Sequence, residues 1–173
     1  MDDTDPEGAA ENAIVAAHLQ SFGYLMQRIH MQWRQRLVAT LEGTGLHGGH
    51  VVVLATLWVR FTQAAWRRED PGLTQTQLVQ ISGVEKSSLV LFLDGLEKDG
   101  WIERRKHPGD RRAHLVYLTP AGAERFAKLG LKLQAMDQEN FAPFSADEKA
   151  GLMQGLTRLL VQLETLNGAA IKS

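Results

Sequence analysis

Apolar residues recur in steps of three and four along most of this 173-residue chain, and the exceptions are grouped between residues 101 and 118. Between residue 12 and Glu42 they fall at Phe22, Met26, Ile29, Trp33, Leu37 and Leu41, one face of a helix that Gly43 and Gly45 should end. The run VVVLATLWVRF, Val51 to Phe61, is too long and unbroken for a lone edge strand. It reads as a buried helix that continues through TQAAWRRED until Asp70-Pro71-Gly72 stops it. Thr74 with Gln77 has the spacing of a capping box and opens a short helix; Gly83 marks the turn after it. A second helix is predicted from about Glu85 to Asp99, with Leu89, Phe92, Leu93 and Leu96 on one face. Ser87, Leu91, Asp94 and Lys98 point away from that face, and Ser88 and Val90 lie on its flanks.

Gly100 is placed to end this helix, after which Trp101–Arg105 and Ala113–Leu118 read as two strands joined by the turn KHPGDR. Thr119-Pro120 starts another helix, with Phe126, Leu129, Leu133 and Met136 on one side and Pro143 beyond it. Ser145 and Glu148 repeat the capping-box spacing before Leu152, Leu156, Leu159, Leu163 and Leu166. That last series runs as an a/d seam for about two heptads, too short for an independent coiled coil and suited to a partner helix.

The predicted fold is therefore mainly α with a small β-hairpin wing: a winged helix–turn–helix DNA-binding region at 46–118 within a helical dimerisation region at 12–45 and 119–168. Residues 1–11, acidic with proline and glycine, read as a disordered tail.

Composition narrows the chemistry. Net charge is −1, so affinity for a polyanion must come from local clustering. Cysteine is absent, which excludes disulfides, a thiolate nucleophile and a cysteine zinc site. Nothing resembles a signal peptide, and the longest apolar run is broken by Thr56 and too short to cross a bilayer, so a soluble cytoplasmic protein with no membrane partner is expected. Neither a glycine-rich phosphate loop, nor HExxH, nor GxSxG is present; no catalytic group, metal or cofactor is expected, and the chain does not read as an enzyme.

The local clustering is on the hairpin. Arg104, Arg105, Lys106, Arg111 and Arg112 place five positive charges within nine residues. A charge run is ordinarily a solvated surface; directly after a helix–turn–helix, DNA binding is the better reading. Lys86 offers a charge to a phosphate, and Ser87 and Ser88 stand at a helix N-terminus whose amides also favour phosphate.

Leu73-Thr-Gln-Thr-Gln-Leu, Gly83-Val-Glu-Lys-Ser-Ser, Leu96-Glu-Lys-Asp-Gly-Trp-Ile-Glu-Arg-Arg and Asp110-Arg-Arg…Leu-Thr-Pro-Ala-Gly122 together resemble the multiple-antibiotic-resistance regulator (MarR) family, over roughly Phe22 to Leu166. The resemblance implies a homodimeric winged-helix transcription factor, usually a repressor, that leaves its operator when a small aromatic or phenolic molecule binds between its dimerisation and DNA-binding parts. It implies that Lys86, Ser87 and Ser88 begin the recognition helix, that Arg112 is the wing-tip arginine entering the minor groove, and that Asp110 orients it. Arginine suits a narrow, electronegative A·T-rich minor groove.

The chain departs from the family pattern at three places. Val90 and Leu91 stand where members often carry threonine and arginine, Gly95 where a basic residue is common, and TQAAWRRED is longer than the usual connection. Val90 and Leu91 either meet thymine methyls or leave base readout weak and the wing dominant.

An effector site would use His30, Trp33 and Arg34 on the first helix with His50, Leu54 and Trp58, spaced by four, on the second; core packing of the tryptophans is the plain alternative. His47-x-x-His50 has the spacing of half a metal site, with no cysteine or nearby carboxylate to complete it. The functional expectation is a homodimeric repressor on a pseudo-palindromic operator in double-stranded DNA, released by an aromatic or phenolic ligand. The alternative is a helical winged-helix module that binds a protein partner, for which outward Val90 and Leu91 are the best support.

Overall fold

The structure, a computed structural model, describes residues 15, 17–110 and 112–170, with side chains through 168. The acidic segment 1–11 and Arg111 lie outside the described residues. The chain divides into two compact units, one running through Lys132 and the other from Leu133.

In the first unit, helix α1 (Phe22–Thr40) is followed by α2 (Gly48–Arg67), strand β1 (Leu73–Thr74), α3 (Gln75–Ser82), α4 (Lys86–Lys98), β2 (Ile102–Lys106) and β3 (His114–Leu118). Helix α5 (Pro120–Asn140) contains the boundary between the units, and α6 (Ala146–Ala170) belongs to the second. The mainly helical fold with a small β wing is as the sequence pattern predicts. The wing itself is part of a three-stranded antiparallel sheet of order β1-β3-β2, not a lone hairpin. Leu73 and Thr74 pair with Val116 and Leu115, and Ile102 through Lys106 pair with Leu118 through His114.

Helix ends follow local chemistry. Thr74 Oγ1 accepts the Gln77 N–H at 3.2 Å while Gln77 Oε1 accepts the Thr74 N–H at 2.8 Å, so the expected capping box forms. Gly83 and Gly100 adopt φ of +67° and +71°, conformations that cost a residue with a Cβ and suit glycine after a helix. Two expectations change. The first helix is not continuous from residue 12 to Glu42: Ser21 caps a fresh start at Phe22, its hydroxyl accepting the Tyr24 N–H. Helix α2 is not buried throughout, nor does it reach Asp70. Val51, Val53, Leu54, Leu57 and Ala64 are buried, whereas Val52 and Val59 are exposed, because the core covers only one face. Arg68, left-handed at φ +55°, ends the helix.

The core of the first unit lies under the helix–turn–helix. Leu54, Leu57, Leu78, Leu89, Leu93, Leu96, Ile102 and Val116 are almost fully buried, each contributing about 1.5–3 kcal/mol by removal from water. Phe92, assigned to this face from the helical wheel, is only half-buried and leans toward α2. The base of the wing is anchored on the start of α5. The Trp101 carbonyl accepts the Thr119 N–H at 3.1 Å and its hydroxyl at 3.2 Å, and the Arg125 guanidinium stacks 3.7 Å from the Trp101 ring centre. A Cβ on Gly122 would stand 2.0 Å from that same carbonyl oxygen, so the glycine of Thr119-Pro120-Ala121-Gly122 is a steric requirement.

In the second unit, Ser145 and Glu148 form the predicted capping box, and Phe141 packs edge-to-face on Phe144. Of the a/d leucines, Leu156 and Leu159 are half-buried, and Leu152, Leu163 and Leu166 are exposed.

Candidate nucleic-acid interface

Helix α4 is capped by Glu85, whose carboxylate accepts the N–H of Ser87 at 3.0 Å and of Ser88 at 3.1 Å, and also the Ser87 hydroxyl. These bonds hold the Glu85 pKa down to about 2, the Ser87 hydroxyl contributing most. The first amides of α4 and the two serines, expected from the sequence to receive a phosphate, are therefore reassigned. The chain's own carboxylate already occupies the position, and Ser88 is half-buried. Lys86 remains exposed beside it.

Along the outer face of α4, Leu91 is 70% exposed and Val90 39%. Asp94, expected to point freely outward, is tied instead to the wing: Arg104 Nη1 donates to Asp94 Oδ1 at 2.7 Å and to Glu97 Oε2 at 2.9 Å, while the Arg104 backbone N–H reaches Glu97 Oε1 at 3.0 Å. Arg104 therefore leaves the set of charges open to DNA. Its charge is compensated and its side chain largely covered, on the sheet face that packs against α4. Arg105 is paired with Glu103 and lies 4.6 Å from the centre of the Tyr117 ring. Lys106 is exposed at the strand end.

The tip is a tight, self-bonded turn. His107 N–H reaches the Ala113 carbonyl, the Ala113 N–H reaches the Asp110 carbonyl, and His107 Nδ1 accepts the Gly109 N–H at 3.0 Å. The Asp110 carboxylate accepts the backbone N–H of Arg112 at 2.9 Å. Asp110 was expected to orient the Arg112 guanidinium; it shapes the backbone below it instead. Among the described residues neither Lys86 nor Arg112 has a side-chain ion-pair partner.

Lys86 and Leu89 of α4, Arg112, Ala113 and His114 of the wing, and Thr74, Gln75, Thr76 and Val79 around the head of α3 line one groove of about 390 Å³. His114, beside the wing, reads from the sequence as DNA-proximal or exposed; Gln75 and Thr76 carry no such reading. Their signal was the capping box at Thr74, which marks where α3 turns its first residues outward.

The six residues named for an effector do not converge. His30, Trp33 and Arg34 are exposed on α1. Leu54 is core, and Trp58 packs 6.2 Å from Phe61 and 5.9 Å from Phe126, ring centre to ring centre. His50 has a different task. His47 Nδ1 accepts the Gly49 N–H and His50 Nδ1 accepts the His47 N–H, an imidazole capping box whose rings stack 3.7 Å apart. Both rings meet Phe92 of α4 edge-on. Gly49 admits that phenyl ring, which would lie 2.4 Å from a Cβ; a Cβ on Gly95 would stand 3.7 Å from His50 Nε2, an ordinary contact, so packing does not require glycine there. Burial, then the neighbouring His47, lower the His50 pKa. The His-x-x-His spacing is thus used for capping and packing. Among the described residues no group of three potential ligands could hold a metal, and no helix is long and apolar enough to cross a membrane.

A helix–turn–helix, a three-stranded sheet whose hairpin projects beside it, and two unpaired cations in the groove between them define a winged-helix DNA-binding regulator. The comparisons agree. A model described as the MarR family matches residues 67–114. A Thauera aromatica protein described as "Putative transcriptional regulatory protein for hcr operon" is 30% identical over 139 residues, covering 79% of this chain and 75% of the relative. Among solved structures, a mutant MarR from E. coli complexed with operator DNA aligns with a TM-score of 0.69 at 26% identity, covering 83% of this chain and 96% of that one. BpsR of Bordetella bronchiseptica, from a structure on regulation of its DNA binding by 6-hydroxynicotinic acid, shares the fold with a TM-score of 0.69 at 18% identity, covering 82% and 94%. The chain belongs to the MarR family of transcriptional regulators and is not an enzyme.

Proposed function

We propose that this regulator is a homodimeric repressor that grips a pseudo-palindromic operator through Lys86 and Arg112, with Lys106 and Arg111 adding phosphate contacts and Val90 and Leu91 meeting thymine methyls. The observation that carries the reading is the shared groove: two unpaired cations, one from the head of α4 and one from the wing tip, line the same opening with three hydroxyl and amide side chains. Cations on a phosphate track supply affinity, and apolar contacts in the major groove supply sequence preference. Replacing Leu91 with Arg tests the second part; an unchanged preference across base-substituted duplexes removes it.

Dimerisation is supported by apolar surface left open in each unit. Helix α1 exposes Phe22, Leu25, Met26, Ile29 and Trp33, and α6 exposes Leu160, Val161, Leu163 and Leu166, more than a monomer ordinarily leaves in water. Two copies of α4 would then meet successive major grooves about one turn, ~34 Å, apart. A ligand that favours another spacing of the two copies releases the DNA. Trp33 with His30 and Arg34 stands at the exposed face of α1, where a second copy would complete a pocket that one chain does not form. The decisive experiment is an electrophoretic shift on the DNA upstream of the chain's own gene, with and without aromatic acids, 6-hydroxynicotinic acid among them. Salt-dependent binding relieved by one of these acids is the expected result. Absence of salt-dependent binding rejects the repressor reading, and binding that no aromatic or phenolic compound relieves rejects its effector class.

A further inference from the structure

The end of α2 carries a set of contacts that neither the groove nor the open helix faces use. Arg60 donates from Nη1 to the Glu69 carboxylate at 3.1 Å and from Nη2 to the Asp70 carbonyl at 2.8 Å. The Asp70 carboxylate in turn accepts two hydrogen bonds, the Gly72 N–H at 2.8 Å on Oδ1 and the Tyr117 hydroxyl at 3.1 Å on Oδ2. Tyr117 lies on β3, opposite Glu103 in the wing.

The Tyr117 ring is half-buried. A Cβ on Gly72 would stand 2.6 Å from its Cζ, so the ring would have to shift to admit any larger residue there, and the Arg105 guanidinium lies over the ring. Burial and the bond to Asp70 raise the Tyr117 pKa, so the hydroxyl keeps its proton and donates at neutral pH. Residues 69–72 join the end of α2 to β1. A two-stranded hairpin is marginal by itself, and its direction depends on what holds its base. On the sheet face toward α4 that support is Arg104 with Asp94 and Glu97; on the opposite face it is the link from Asp70 to Tyr117.

We propose that Asp70 is a positioning residue for DNA binding: through Tyr117 it sets the direction of the wing, and through the loop held by Arg60 it couples that direction to α2. The inference rests on the DNA-binding reading above. A displacement of α2 is thereby passed to the wing along covalent chain and three hydrogen bonds, without passing through α4.

The test measures affinity for a labelled duplex of the upstream DNA by fluorescence anisotropy at several salt concentrations, with thermal unfolding of the same preparations. Tyr117→Phe and Asp70→Ala should each weaken binding roughly fivefold, the scale of one lost hydrogen bond. The double variant should be no weaker than either single one, because both cut the same link. Asp70→Asn keeps a partner for the Gly72 N–H and for Tyr117 and should restore affinity to within about twofold of wild type. A role confined to stability would lower the unfolding temperature of Tyr117→Phe and leave its affinity and salt dependence at the wild-type values; that result overturns the proposal. Additive losses in the double variant also overturn it. If the wild-type protein shows no salt-dependent binding, the DNA-binding reading fails and takes the proposal with it. If wild type binds and the variants match it, the proposal alone fails.

Discussion

The wing carries arginines at its base and at its tip, and the two ends use them in opposite ways. At the base, Arg104 is held by two carboxylates of α4 and its backbone N–H by one of them, while the Trp101 carbonyl holds Thr119 and presses on Gly122. At the tip, the turn closes on its own backbone and the Arg112 side chain has no ion-pair partner among the described residues. One end spends its charge on fixing the hairpin to the helix; the other keeps its charge for something outside the chain. A basic run read only as a count of positive residues therefore overstates the interface. Position along the strand decides which charges are available, because alternate residues face α4 and the solvent.

Substitutions at the base should damage folding and those at the tip should damage binding. The largest effect is expected for Gly122→Ala. A Cβ 2.0 Å from a carbonyl oxygen cannot be accommodated without moving backbone, so a urea titration should show a loss of about 3 kcal/mol or more. Arg112→Ala should leave the urea midpoint unchanged and weaken operator binding at least about tenfold, since charge-assisted contacts are worth roughly 1.5–3 kcal/mol. A shifted midpoint would show that the tip, too, is structural. Arg104→Ala should reverse the pattern, with about 1–2 kcal/mol lost in stability, discounted because both carboxylate partners remain more than a third exposed. Operator affinity of its folded fraction should fall only several-fold, less than for Arg112→Ala, since the Asp70–Tyr117 link still holds the wing.

The smallest effect is on pH dependence. His50, with its folded pKa below the ordinary 6.5, binds its proton more readily when unfolded. Its contribution is complete above about 6.5 and declines as pH falls. Protonation also removes the Nδ1 lone pair that caps α2. Glu85, ordinarily near 4.5 and held at about 2, adds a second loss between those values as the cap of α4 is protonated. Acid unfolding followed in Glu85→Gln should lack this second step; an unchanged acid limb would show that the cap does not matter to the fold.

The sequence pattern made helix positions legible to within about two residues from α3 to α6, because capping boxes, αL glycines and three-four spacing are local signals. It could not show β1. Two residues have no period, and Leu73 and Thr74 become a strand only by pairing with Val116 and Leu115, far along the chain. The Arg104 clamp was hidden for a related reason. The helical wheel placed Asp94 outward correctly, but outward from the core is toward the wing strand, a relation between elements that no single-element pattern contains. Three of the effector candidates are used for packing on the same ground: spacing by four put His50, Leu54 and Trp58 on one face without saying that α4, the core and Phe126 cover it. Serines at a helix start read as an anion site until Glu85, just ahead of them, proved to be the cap.

The central claim is that the unpaired charges of Lys86 and Arg112 hold the DNA. The most direct measurement is the slope of log affinity against log salt for wild type, Lys86→Ala, Arg112→Ala and the double variant on one operator duplex. Each phosphate contact contributes about 0.9 to that slope, so each single change should lower it by nearly one and the double change by nearly two, with the unfolding midpoints unmoved. A double variant that keeps the wild-type slope would contradict the account, whatever happened to its affinity.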